Sequence, residues 1–191
     1  MVALVEAMKQ GRVHAEPVVV LSNVPGAPGL EQAASHGIAT HVVDHKKVKP
    51  RKAHEKEVCG ILRDYDVDLV CLAGYMRLLS PWMVGEFRNR ILNIHPSLLP
   101  AFPGLDAQQQ ALDYGVKVSG CTVHLVDEAC DHGPILLQAA VPVQVGDTVE
   151  RLSARILEQE HRLYPEAVAL FFSGGLHFDD RRVTIQTARA N

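Results

Sequence analysis

Two polar residues, Asn93 and His95, are set into the short apolar run Ile91-Leu92-Asn93-Ile94-His95. A run of this length and composition has the pattern of a buried strand. Side chains at i and i+2 on a strand point to the same face, so the amide and the imidazole should sit side by side. Pro96 removes a backbone donor and ends the ladder. Pro100 and Pro103 stiffen the loop that follows. The pair is thus expected at the C-terminal end of a strand, where open α/β sheets bind ligands. Either residue alone is ordinarily a satisfied structural group. Together they suit acyl chemistry, because an amide can donate to a developing oxyanion and a nearby histidine can donate or shuttle a proton.

A second group of candidates lies in Asp127-Glu128-Ala129-Cys130-Asp131-His132-Gly133. This acidic loop lies between two strand-like runs, and composition alone describes a solvated turn. Asp131 is its candidate for function. A carboxylate near His95 would favour the imidazolium and orient the ring, or a water, for proton transfer. His124, in the preceding strand, is by itself a structural histidine. Glu160 shares a helical stripe with Leu152, Ile156 and Leu163. A carboxylate on an apolar face is costly unless paired, so a structural ion pair explains it as well as a binding role does. Met76-Arg77-Leu78-Leu79 follows a strand and Gly74, as ordinary core packing would. Arg51 has the look of a solvated charge at a helix start.

The elements that must position these residues follow from periodicity and punctuation. Helices are expected over Val2 to Gln10, Leu30 to His36, Arg51 to Tyr65, Pro81 to Phe87, Gln108 to Asp113 and Val149 to Phe171. Ser80 is the N-cap and Pro81 the first position of the fourth helix. Pro165 should bend the last one. Strands are expected over Val18 to Leu21, Thr40 to Val43, Leu69 to Leu72, from Ile91, Gly120 to Val126 and Ile135 to Val141, with a hairpin through 176–178 and 183–185. Strands alternating with helices imply an α/β fold with a mostly parallel twisted sheet and helices on both faces.

Composition narrows the function classes. The 191 residues are 47% hydrophobic, which suits one compact domain over 1–191. A net charge of −3 and the absence of a basic run argue against nucleic acid as a partner. No apolar stretch approaches the roughly 20 residues of a membrane span. Cys59, Cys71, Cys121 and Cys130 show no Cys-x-x-Cys spacing and are expected to be free thiols in a cytoplasmic protein. His41 and His45 are four apart but flank a β-like Val-Val, so no metal site is expected.

Asn93-Ile94-His95-Pro96-Ser97-Leu98-Leu99-Pro100, followed by Phe102-Pro103-Gly104, resembles the signature of the folate-dependent formyltransferases. The resemblance covers nearly the whole chain, from Met1 to about Phe178, with several motifs in the family's order. It implies a Rossmann-like formyltransferase fold. The implied activity is formyl transfer from 10-formyltetrahydrofolate, a co-substrate, to the amine of glycinamide ribonucleotide in purine synthesis. The family's catalytic residues match Asn93, His95 and Asp131, and His124 is typical of it. Backbone groups of Met76, Arg77, Leu78 and Leu79 would form one wall of the folate pocket, with Asn93 beside it. Asp127, Glu128, Ala129, Cys130 and Asp131 would form the other. Arg51 matches an arginine near the glutamate tail. Glu160 matches the residue that holds the ribose hydroxyls, with Leu157, Glu158 and Gln159 lining the same region. The sister hydrolase of formyltetrahydrofolate normally carries a second histidine where this chain has Pro96.

One departure stands out. The family usually opens with a buried strand and a Gly-x-Gly-Ser-Asn turn that holds the substrate phosphate at a helix N-terminus. This sequence starts at Met1 within what should be the next helix. The expectation is an N-terminally short form, its first strand missing, that binds folate but uses glycinamide ribonucleotide poorly. A non-catalytic or impaired folate-binding relative, or a formyltetrahydrofolate hydrolase, is the alternative.

Overall fold

The computed structural model describes residues 1–179 and 181–185. Six helices and eight strands appear in the order α1 (Val2–Lys9), β1 (Val19–Ser22), α2 (Pro28–Ser35), β2 (Ala39–Val42), α3 (Arg51–Asp64), β3 (Val70–Leu72), α4 (Pro81–Glu86), β4 (Ile91–His95), α5 (Ala107–Tyr114), β5 (Val118–Leu125), β6 (Ile135–Pro142), α6 (Val149–Phe172), β7 (Leu176–Asp179) and β8 (Arg182–Ile185). Every expected element is present, with ends displaced by one or two residues. Ser80 caps α4, its hydroxyl accepting from the Met83 amide at 3.3 Å. Thr148 caps α6 through the Arg151 amide. Helix α6 runs unbroken through Pro165.

The strands form three hydrogen-bonded sets: β1 with β2, β3-β4-β5-β6, and the hairpin β7 with β8. β1 runs parallel to β2, and β3 to β4. β5 then pairs antiparallel with β4, His95 facing Thr122 and Asn93 facing His124, and β6 pairs antiparallel with β5. The parallel winding holds through β4 because each return there goes through a helix. β5 starts beside the end of β4, so α5 need not carry the chain back along the sheet.

The larger core lies between the β4–β6 side of the sheet and α6, with Leu92, Val123, Leu125, Leu152, Ile156 and Val168 among its buried members. Tyr164 of α6 points its buried hydroxyl at the carbonyls of Leu72 and Leu92, 2.9 and 3.0 Å away. That contact pins α6 across β3 and β4 just upstream of Asn93. A second cluster, around Cys59, Met83, Phe87 and Ile91, lies where α3 and α4 meet side chains of β1 and β3. No helix of the described residues is long and apolar enough to cross a membrane.

Candidate active site

The expected pairing of Asn93 and His95 on β4 is the starting point. Their partners come from β5 and from the two loops beyond the strand ends. His124 sits opposite Asn93 in the ladder, and its Nε2 lies 3.2 Å from the Asn93 amide nitrogen. The His124 Nδ1 is 2.8 Å from the Leu125 carbonyl. A carbonyl only accepts, so Nδ1 carries the hydrogen and Nε2 is left as the acceptor. Burial pushes His124 below its ordinary pKa, against the pull of the Leu125 carbonyl and Asp131, and so favours this neutral form. A neutral His124 fixes Asn93: one amide N–H is committed to Nε2, and the second remains for a ligand.

His95 is 5% exposed, and both its ring nitrogens face oxygen. Nε2 donates to the Phe102 carbonyl at 2.8 Å, and Nδ1 stands 3.4 Å from Asp131 Oδ2. The other Asp131 oxygen is 3.7 Å from His124 Nε2. A doubly protonated ring matches the two acceptors around His95. Asp131 is held by a residue of the proline-stiffened loop, since the Gly104 amide donates to its Oδ2 at 2.8 Å. This explains the Phe102-Pro103-Gly104 segment physically. Phe102 and Gly104 both have left-handed backbones, with φ of 53° and 84°, which turn the loop back over the strand end. Asp131 is left-handed too, at φ 49°, a conformation that a non-glycine residue keeps only when its surroundings fix it. Gly133 closes the acidic loop where no other residue fits: a Cβ there would lie 1.9 Å from the Leu125 carbonyl oxygen.

Beneath this cluster lies a buried polar support that the sequence reading missed. Thr122, which faces His95 in the ladder, donates to the Ser97 carbonyl at 2.7 Å and accepts from the Leu99 amide at 3.0 Å. Gln138 of β6 donates to the Leu99 carbonyl. Together they hold the His-Pro-Ser turn in place. Register against β4 is the only signal for Thr122, and it is invisible before the pairing is known.

The Met76–Leu79 segment and Arg51 come together as one wall. Arg51 donates to the Leu78 carbonyl and is paired with Glu55 at 3.1 Å. Glu55, itself 2% exposed, accepts from the Ser80 amide at 2.9 Å and from the Ser80 hydroxyl. Burial alone would raise the Glu55 carboxyl, but the Ser80 hydroxyl and amide, with Arg51, hold it below the ordinary carboxylate range. Met76 and Leu78 are exposed, whereas Leu79 is buried in the core. An open cavity of about 770 Å³ is lined by His45, Val48, Lys49, Pro50, Arg51 and Arg77. Its lining is cationic and belongs to this wall, not to the Asn93–His95–Asp131 cluster.

In the acidic loop, Asp127 accepts from the Ala129 amide at 3.0 Å, while Glu128 and Cys130 are exposed. On α6, Glu160 lies one turn beyond buried Ile156 and is partly buried. Burial raises its carboxyl above the ordinary range, and the Met1 ammonium pulls it back only in part. Gln159 accepts from Arg162, and Leu157 and Glu158 are exposed. Among the described residues no group of three His, Cys, Asp or Glu side chains could hold a metal ion.

The family model "Formyl transferase" matches residues 1–168. The phosphoribosylglycinamide formyltransferase of Escherichia coli is 40% identical over 98% of this chain and 88% of its own length. The trifunctional purine biosynthetic protein adenosine-3 of Gallus gallus is 48% identical over 91% of this chain, which spans 17% of that longer protein. Among solved structures, the glycinamide ribonucleotide transformylase 1 of Symbiobacterium toebii superposes with a TM-score of 0.95 at 53% identity, covering 97% of this chain and 87% of that one. The chain belongs to the formyl transferase family.

Proposed function

We propose that this chain transfers a formyl group from 10-formyltetrahydrofolate to the amine of glycinamide ribonucleotide, as one domain. The observation that carries the reading is the convergence of an oriented amide, an imidazole and a carboxylate at the end of β4. The names of the relatives supply the substrates. In the reaction the neutral amine attacks the formyl carbon, forming a C–N bond and a tetrahedral oxyanion. The free Asn93 N–H donates to that oxyanion, and the positive charge of a protonated His95 stabilises it. The bond to the folate nitrogen then breaks, and the proton lost by the amine ends on that nitrogen. Asp131, within ion-pair reach of His95, keeps the ring oriented and assists the proton's passage.

The folate would lie between the Met76–Leu79 wall and the Asp127–Asp131 loop. The cavity at Lys49, Arg51 and Arg77 offers positive charge for its acidic tail. Glu160, a raised carboxyl on the buried side of α6, would receive the ribose hydroxyls, with Gln159 beside it and Leu157 and Glu158 at the outer edge.

The experiment is transfer of an isotopically labelled formyl group. Label in formylglycinamide ribonucleotide supports the proposal. Label released only as formate would make the chain a hydrolase instead, and label that stays on the folate would make it a binding protein.

A further inference from the structure

The β7–β8 hairpin reaches the acidic loop through the side chain of Arg181. Leu176 and Val183 anchor the hairpin against the main core. From its turn, Arg181 donates through Nη2 to the His132 carbonyl at 2.7 Å, while Nη1 lies against the His132 ring edge, 2.9 Å from Nδ1 and closer to Nε2. The same ring faces Asp127, Nδ1 lying 2.8 Å from Oδ2. The three side chains fit one proton arrangement. A carboxylate only accepts and a guanidinium only donates, so a neutral His132 gives its Nδ1 hydrogen to Asp127 and accepts from Arg181 at Nε2. Asp127 opens the loop and His132 follows Asp131. Arg181 therefore reaches the backbone one residue beyond the catalytic carboxylate, and through the ring it ties down the other end of the loop.

We infer that Arg181 is a positioning residue, clamping the 127–133 loop through His132 so that Asp131 stays within reach of His95. This rests on the proposed role of Asp131. The need for a clamp is visible in the geometry. Asp131 holds a left-handed backbone, and its shortest contact is the Gly104 amide at 2.8 Å, with the neighbouring Cys130 thiol 3.5 Å from the same oxygen. The 3.4 Å gap to His95 is at the limit of a useful ion pair, so a small loop displacement would open it.

Two readouts test the clamp. The first is hydrogen exchange at the Gly104 amide, which reports whether Asp131 is docked and does not depend on turnover. Arg181→Met should speed that exchange by about twofold to fivefold, the effect of one exposed charge-assisted contact, and leave β5 amides unchanged. Arg181→Lys, which can still donate to the His132 carbonyl, should restore most of the protection. The second is a double-mutant cycle on formyl transfer. Arg181→Met should lower kcat by about the same factor with an unaltered KM for the ribonucleotide, and should have little further effect in an Asp131→Asn background. Unchanged Gly104 exchange, a wild-type kcat in Arg181→Met, or additive losses in the double variant would overturn the inference. If wild-type protein transfers no formyl group while Gly104 exchange still responds to Arg181, the clamp stands as a holder of Asp131 and the proposed reaction falls.

Discussion

At the scale of single residues, chemistry is concentrated in side chains whose hydrogen-bonding roles are fixed by neighbours. His124 is the clearest case. It is 2% exposed and occupies both ring nitrogens with protein partners, so it serves as an orienting group for Asn93. Asn93→Ala and His95→Ala should each lose about 10²-fold or more in formyl transfer, since the first removes a donor to the oxyanion and the second the charge that stabilises it. Near-normal turnover in a folded variant of either would reject the assignment. His124→Phe should also lower kcat, by about tenfold, because the Asn93 amide then loses the acceptor that sets its orientation. The check is whether KM for the folate stays within about twofold while kcat falls. Partly buried Cys71 and buried Cys121 have no comparable role: burial pushes both thiols up to about 12, far from thiolate chemistry at neutral pH.

At the scale of elements, the site depends on how the loops are fastened to the strands and helices that carry them. Glu55 in the first turns of α3 joins three parts of the proposed folate wall: Arg51, the backbone at Ser80 and the Ser80 hydroxyl that also caps α4. Removing it leaves the Ser80 amide and the Arg51 guanidinium without their shared acceptor. Glu55→Ala should cost about 2–3 kcal/mol of stability and raise the KM for the folate. Denaturant unfolding with parallel kinetics would check this, and a variant as stable as the parent would show that the wall stands without it. Opposite, Gly133→Ala cannot be accommodated without moving the backbone next to Leu125. That change should displace Asp131 and be seen as faster Gly104 amide exchange with the β6 amides still protected.

At the scale of the whole molecule, two buried titratable groups shape stability against pH in opposite directions. Burial first of all lowers His124, so the folded chain binds that proton less readily than the unfolded chain does. Its contribution is fully present above the unfolded histidine value, about 6.5, and is lost as pH falls through the lowered folded value. Burial raises Glu160. The folded state therefore holds that proton more tightly, and stability falls as pH rises from the ordinary carboxylate value through the raised one. Between the ordinary carboxylate value and about 6.5 the two effects oppose each other, so a thermal melt series of the parent shows only their difference. Glu160→Gln should remove the alkaline-side loss and raise Tm at pH 7 by about 2–4 °C, the shift that about 1 kcal/mol gives in a chain of this length. The same change should weaken ribonucleotide binding. A lower Tm in Glu160→Gln would mean that the carboxylate is stabilised in the fold and not held at a cost for a ligand.

The sequence by itself determined the elements and the nature of the chemistry. Local apolar periodicity, Ser80-Pro81 at the α4 start and the prolines around Ser97 are short-range signals. They placed Asn93 and His95 on one strand end before any pairing was known. The residue types in the signature through Gly104 and in the acidic loop suit oxyanion donation and proton transfer, and the resemblance of that signature to the folate-dependent formyltransferases pointed to formyl transfer. Tertiary structure alone decided what each of those groups faces. The Gly104 amide meets Asp131 across 27 residues, His124 meets Asn93 across 31, and Arg181 meets His132 across 49. No periodicity encodes such contacts, because they depend on the antiparallel register of β5 on β4 and on where a hairpin lands after the whole sheet has formed. The protonation of His124 is decided in the same way. It follows from a carbonyl and an amide on neighbouring strands and from exclusion of water, none of which the residue carries in its own identity.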